Sequence, residues 1–186
     1  DRETSGVVLV AKHSAAARRF SIAMQERKTE KCYQALVHGW PDEDEFIIDQ
    51  PLLRKGTVEP SPIWLKRMVH SEGQSAMTHV RMLEKRSHEE RRYSLVEVRP
   101  VTGRMHQIRV HLSHVGHPIV GDKIYNDETC YLRFIAEGWT AELEKELLLP
   151  RHALHASRLT FHLPEGNLSW NAPFPKDLAW VKLGLF

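Results

Sequence analysis

Cysteine is scarce. The 186 residues hold two, Cys32 and Cys130, far apart and without C-x-x-C spacing, which excludes a disulfide framework and a thiolate zinc site and points to a reducing, cytoplasmic setting. Long apolar runs are missing as well. None approaches the ~18–20 residues a bilayer-spanning helix needs, and no basic segment followed by an apolar stretch and cleavage site opens the chain. Neither charge sign dominates: 26 Lys+Arg against 24 Asp+Glu leave a net charge of +2. Bulk attraction therefore does not select a polyanion, and any nucleic-acid contact must come from local clusters. Also absent are G-x-x-x-x-G-K-[ST], a G-x-G-x-x-G after a strand, H-E-x-x-H and G-x-S-x-G. Nucleotide-dependent chemistry, zinc peptidase action and serine hydrolysis thus lack their usual markers, and no cofactor is called for.

With 41% hydrophobic and 27% charged residues, the composition is that of a folded globular chain. Residues 1–186 read as one domain, with no internal repeat and no linker clean enough to split it. The first residue is Asp1 rather than Met, and the first apolar run starts only at Gly6, so the chain is expected to begin partway through a longer protein. Histidine is plentiful, at 12 copies, and metal and proton-transfer chemistry both have to be weighed.

Gly6–Lys12 reads as a buried strand, and Ser14 as the N-cap of an amphipathic helix from Ala15 to about Glu26. Further strands are expected at Lys31–His38 and Glu45–Asp49, with a loop from Pro51 to Pro62. Ala76–Leu83 and Tyr93–Arg99 flank a charge-dense turn, Glu84–Arg92, in a hairpin-like arrangement. A helix follows from Met105 to Val115, ended by Gly116 and Pro118, and a short acidic one at Glu142–Leu148. Arg158–Leu163 and Asn167–Asn171 read as strands, before a small C-terminal helix from about Lys176. Strands adjacent in sequence outnumber strand–helix–strand units, which makes the fold class α+β, with a mostly antiparallel or mixed central sheet flanked by helices.

Three places could carry chemistry. The densest is Thr102–Tyr125, where Arg104, His106, Gln107 and Arg109 crowd the start of a helix and offer guanidinium, imidazole and amide groups suited to phosphates, sugar hydroxyls and base edges. His111, His114 and His117 recur every three residues, but steps of three fall back ~60° around a 3.6-residue turn, so a packed or solvated helix face is the better reading than a metal site. The second place is the polar turn Asp1-Arg2-Glu3-Thr4-Ser5-Gly6, where an aspartate is ordinarily a turn or capping residue. The third is Tyr33, on a strand where a half-buried aromatic is ordinarily core.

Together these three places resemble the RluA-type pseudouridine synthase family. Asp-Arg-Glu-Thr-Ser-Gly is similar to the second half of its H-R-L-D-[RK]-[ED]-T-S-G motif, Lys31–Gly39 to K-x-Y-x-A-[LV]-V-x-G, and Thr102–Leu112 to T-G-R-x-H-Q-I-R-x-H-[LM]. Gly73–Thr78 echoes G-K-x-A-x-T with Gln74 in place of the lysine, and Arg151–Ala156 and Ala172–Pro175 resemble the closing segments. The resemblance implies a pseudouridine-synthase catalytic fold with a cleft for RNA, an isomerase acting on uridine in ribosomal or transfer RNA, and no metal or cofactor. It makes Asp1 the reacting carboxylate, which either adds to the base or sugar or takes a sugar proton. Arg104 is expected to pair with Asp1, and Tyr33 to lie against the uracil. Arg2, His106, Gln107 and Arg109 are expected to contact the RNA, with Lys28, Lys31, Lys66, Arg67, Arg91 and Arg92 as a diffuse basic rim. A catalytically idle RNA-binding module and a metal-dependent hydrolase built on His111, His114 and Asp122 are the rival readings. The acidic insert Glu137–Glu146 has no role in any of them.

Overall fold

The computed structural model describes residues 1–88 and 90–178. Its frame is a seven-stranded mixed sheet in the order β1-β8-β2-β7-β6-β3, with β9 paired to β8. The strands are β1 (Ser5–Gly6), β2 (Thr29–His38), β3 (Glu45–Asp49), β6 (Met77–His88), β7 (Arg91–Pro100), β8 (Leu154–Leu163) and β9 (Gly166–Asn171). Every pair is antiparallel except β1 with β8. β4 (Leu52–Arg54) and β5 (Arg67–Val69) form a separate antiparallel ribbon. The helices are α1 (Ser14–Gln25), α2 (Gln107–His114), α3 (Glu128–Glu137) and α4 (Ala141–Leu147). This is the α+β class expected from the order of elements.

The centre of the sheet is β2, whose Ala35, Leu36 and Val37 are buried together with Val96 and Val98 of β7. Ile108 and Leu112 of α2 and Ile119 and Val120 beyond it pack on that face. A helix that opens with polar residues is thereby locked against the middle of the sheet, and its first turn sits over the C-terminal end of β7. α1 is capped by His13, whose Nδ1 accepts from the Ala16 amide at 3.2 Å, so the cap lies one residue before the serine expected there. Phe20 of α1 meets Phe161 of β8 edge to face at 4.8 Å.

Three sequence expectations need correction. Gly6–Lys12 is not a buried strand: only Ser5–Gly6 pairs with β8, and Val8 and Val10 are 81% and 78% exposed. The Pro51–Pro62 stretch is not all loop, because Leu52–Arg54 finds a partner in β5 and Leu52 is buried beside Ile63, Ala76 and Val110. The hairpin turn is far tighter than Glu84–Arg92, since pairing continues out to His88 opposite Arg91. Charged side chains on both faces hide such an extension from apolar patterning, while the backbone ladder forms regardless. The short acidic helix expected at Glu142–Leu148 is present as α4, capped by Thr140, and α3, capped by Asp127, precedes the insert and packs on α4 through Cys130, Leu143 and Leu147. At the C-terminus Lys176–Leu178 forms a 3-10 turn, and the remainder of the expected helix lies outside the described residues.

Gly6 illustrates how tightly the first strand is set. Its φ is +114°, and a Cβ there would come within 2.2 Å of the Ala156 carbonyl oxygen, so only glycine lets β1 lie flush against β8. Gly6→Ala is expected to cost about 1–3 kcal/mol in backbone strain alone, with a further loss from the displaced strand. Urea unfolding of the variant checks this, and a wild-type midpoint would refute it.

Candidate active site

The turn that carries Asp1 is tied down residue by residue. Ser5 Oγ meets His155 Nδ1 at 2.9 Å and Thr4 Oγ1 meets His152 Nε2 at 2.9 Å, so one hydroxyl engages a histidine of β8 and the other a histidine just before it. Glu3 accepts two bonds from Lys123 Nζ, at 2.9 and 3.0 Å. Lys123 is buried, and it also donates to the Pro150 carbonyl and lies 4.8 Å from the Phe134 ring centre. The helical pair thus walls the lysine that holds Glu3. Its Trp139 is placed 5.9 Å from the same ammonium.

Across the cleft, the Thr102–Arg109 segment is shaped by Gln107. Gln107 Oε1 accepts from Thr102 Oγ1 at 2.7 Å and the Arg104 amide at 2.9 Å, and its Nε2 donates to Met77 O and Thr78 Oγ1, each at 2.9 Å. All of its capacity is used and the residue is buried. Gln107 is therefore an internal brace on the cleft wall. His106, directly before the helix, adopts a left-handed φ of 58°, a conformation that non-glycine residues adopt infrequently. That reversal points its ring inward. His106 Nδ1 meets the Tyr125 hydroxyl at 2.8 Å, and Nε2 lies 3.4 Å from Asp1 Oδ1.

The arginine beside Asp1 is Arg109, not the Arg104 expected there. Arg104 precedes the helix, is exposed, and spends its Nε on the Ser75 carbonyl at 3.1 Å. Arg109 is the third residue of α2, with its side chain 6% exposed, and it is Arg109 whose Nη1 approaches Asp1 Oδ2, at 3.4 Å. Asp122 grips the rest of that guanidinium in a bidentate pair, at 2.6 Å to Nε and 2.8 Å to Nη2. Asp122 Oδ1 also accepts from the Ile124 and Tyr125 amides. With the Tyr125 ring 4.9 Å from its guanidinium carbon, Arg109 has one nitrogen left to offer the cleft.

These residues surround a cleft of about 580 Å³ lined by Asp1, Lys31, Tyr33, Arg104, His106 and Arg109, among others. That is room for one small ligand group such as a nucleobase with its sugar. Tyr33 forms part of the wall from β2, and burial pushes its phenol pKa up, so the ring enters the cleft as a neutral surface. Lys31 reaches the Thr102 carbonyl at 3.0 Å and burial lowers its pKa. Arg2, the residue after Asp1, has its side chain 79% exposed. Of the rival metal set, His114 is exposed, while His111 and Asp122 go to separate structural duties. Buried His111 bonds Thr78 Oγ1 and Gln50 O, at 2.8 and 2.9 Å. His117 bonds the His38 carbonyl, and Asp122 is committed to Arg109.

Burial, with the Arg109 charge adding to it, pushes the His106 pKa down to about 4 and that of His152 to about 3. Both rings are neutral at pH 7, and the His106 contact to Asp1 is polar rather than ionic. The consequence for stability has a definite sign. A histidine whose pKa is lower folded than unfolded favours the folded state above its unfolded value of ~6.5 and loses that contribution as pH falls toward the folded value. Across those windows the shift is worth about 3 kcal/mol for His106 and about 5 kcal/mol for His152. The unfolding temperature is expected to drop steeply between pH 6.5 and pH 4.5, and less steeply in His106→Gln. Thermal unfolding across this range decides it, and equal slopes for the two proteins would exclude His106 as a source.

Comparison with known proteins agrees with this geometry. Residues 1–114 match the family model described as RNA pseudouridylate synthase. An uncharacterized RNA pseudouridine synthase of Chloroflexus aurantiacus is 38% identical over 97% of this chain and 50% of its own length. The ribosomal large subunit pseudouridine synthase D of Escherichia coli K12 is 32% identical over 96% of this chain and 51% of its own. Among solved structures, the human RNA pseudouridylate synthase domain containing 1 superposes with a TM-score of 0.74 at 28% identity, covering 96% of this chain and 69% of that one. The chain spans about half the length of the curated relatives it matches. A turn that presents one carboxylate to a buried arginine, beside a tyrosine-walled cleft, is thus found in a chain that belongs to the RluA-type RNA pseudouridine synthase family.

Proposed function

We propose that residues 1–186 act as the catalytic domain of an enzyme that isomerises uridine in RNA to pseudouridine in the cytoplasm, and that this cleft is where the reaction occurs. One observation carries the reading: the Asp1 carboxylate lies within 3.4 Å of both Arg109 Nη1 and His106 Nε2, on the wall of a cleft that also holds Tyr33. The reaction breaks the bond between N1 of uracil and C1′ of ribose and joins C1′ to C5 instead, so the C5 hydrogen leaves as a proton. Asp1 supplies the carboxylate that acts on the base or the sugar. Arg109, fixed by Asp122, sets a cation 3.4 Å from that carboxylate and holds it in place. Tyr33 offers a ring on which the detached uracil stacks while it turns.

A uridine reaches such a cleft only after leaving its stack, which favours loops and bulges of structured RNA, ribosomal or transfer, as substrate. Arg2 and Arg104, exposed at the mouth, serve the phosphates around the target. Arg104→Ala is expected to raise KM for RNA several-fold with little change in kcat, because Arg104 does not touch Asp1; steady-state kinetics would reveal a fall in kcat to background if it did act there.

Incubating the full chain with ribosomal and transfer RNA transcripts and digesting them to nucleosides tests the reading. Conversion of uridine to pseudouridine is expected at discrete sites. Tight RNA binding with no conversion in any substrate would instead establish an RNA-binding module without catalysis.

A further inference from the structure

The ribbon of β4 and β5, beside the cleft, contains a pairing that ordinarily destabilises a sheet. Arg54 and Arg67 lie directly opposite each other across the two strands, on the same face. Neither has a carboxylate partner among the described residues. The lysines next to them do: Lys66 is 2.6 Å and Lys55 3.6 Å from Glu128. Arg54 Nη1 and Arg67 Nε are also buried nitrogens with no hydrogen-bond partner in the structure. Two half-buried like charges side by side, with no carboxylate to answer them, are the groups a tetrahedral anion would bridge.

What lies next to this pair identifies the anion. The Arg54 guanidinium carbon is 3.8 Å from the ring centre of Trp64, and that tryptophan is 73% exposed. One face of the indole covers the arginine while the residue remains open to solvent, as a base-stacking surface requires. On the other side the Arg67 amide donates to the Tyr125 hydroxyl at 3.0 Å, and that hydroxyl meets His106, which touches Asp1. Arg67 Nη2 also contacts the Met105 sulfur at 3.3 Å. The pair therefore stands three contacts from the Asp1 carboxylate, through Tyr125 and His106.

We propose that Arg54 and Arg67 together bind one phosphodiester of the substrate RNA, and that Trp64 stacks an unpaired base next to it. The inference rests on the reading of the cleft as an RNA-modifying site and specifies how the nucleotides flanking the target are held. It also explains why Arg67 differs from Lys66 within the basic rim, since Lys66 is already neutralised.

The test uses the full chain, with Arg54→Gln/Arg67→Gln, Trp64→Ala, and Arg86→Gln as a charge control on the distal hairpin. RNA affinity is measured by fluorescence anisotropy on a labelled stem-loop over a salt series. Unfolding temperature is measured in inorganic phosphate against chloride at matched ionic strength. In the double variant the slope of log affinity against log salt is expected to fall by about 0.7–0.9, one phosphate contact, and KM for RNA to rise about tenfold. Trp64→Ala is expected to weaken binding about tenfold with the slope unchanged. Phosphate is expected to raise the unfolding temperature of the wild type but not of the double variant. An unchanged slope and KM in the double variant, or the same losses in Arg86→Gln, would overturn the proposal. If the wild type binds RNA and shows the phosphate shift without converting uridine, the catalytic reading fails and this site stands. If the wild type converts uridine and the double variant matches it, only this site fails.

Discussion

Replacing Arg109 by methionine is expected to lower the unfolding free energy by about 3–5 kcal/mol, the usual consequence of leaving a buried charge without its partner. Asp122 is fully buried, and Arg109 is the cation that holds its pKa down against burial. Methionine fills the volume but leaves the carboxylate stranded. The double variant Arg109→Met/Asp122→Asn separates fold from function. Asparagine keeps an Oδ1 to accept from the Ile124 and Tyr125 amides and removes the charge, so much of the lost stability should return. Activity should not return, because Asp1 still lacks its cation. Urea denaturation and uridine conversion on the two proteins check both halves. A stable Arg109→Met with wild-type turnover would show that the buried pair serves neither purpose.

The second large effect is on chemistry alone. Asp1→Asn keeps the shape of the side chain and its hydrogen-bonding oxygen but removes the ionisable group, and the turn around it is anchored by Glu3, Thr4 and Ser5 rather than by Asp1. The fold and the basic surface stay as they are. Turnover is expected to fall by at least about a thousandfold, the scale on which loss of a reacting or proton-transferring group acts, while RNA affinity stays within a few-fold. Nucleoside analysis and anisotropy together measure this. Loss of RNA binding in parallel with activity would mean that Asp1 only shapes the site.

Much of this site was legible in the sequence because its motifs are local. Thr4, Ser5 and Gly6 each have a geometric duty against β8, and a contiguous motif records such duties in order. The Asp1–Arg109 contact was not legible in the same way. Arg104 and Arg109 both lie near the start of one helix, and which faces the cleft depends on where that helix begins and on the left-handed turn at His106. Moving the first helical residue from 105 to 107 turns the face by about 200°. Gln107 likewise reads as a surface amide until Met77, Thr78 and Thr102 arrive from other segments. Asp122 looked like a spare metal ligand, since nothing in the spacing of Gly116–Tyr125 shows that its turn folds back on Arg109. The fold was legible where apolar alternation runs over a full strand, as in Lys31–His38. It was not where pairing is brief or charged: β8 offers Gly6–Lys12 only two residues of edge, so Val8 and Val10 remain outside. The ribbon that carries Arg54 and Arg67 was hidden in a proline- and glycine-bearing stretch for the same reason.

Loss of the C5 hydrogen gives the most direct single readout of the chemistry assigned to Asp1. RNA carrying tritium at C5 of uridine, mixed with excess wild type, Arg104→Ala or Asp1→Asn in a single turnover, reports that step in isolation. The wild type and, once saturated, Arg104→Ala should release tritium at similar rates, and Asp1→Asn should release none above the protein-free background while still holding the RNA. Release by Asp1→Asn at a rate near the wild type, or an Arg104→Ala protein as inert as Asp1→Asn at saturation, would contradict the assignment of the reacting pair to Asp1 and Arg109.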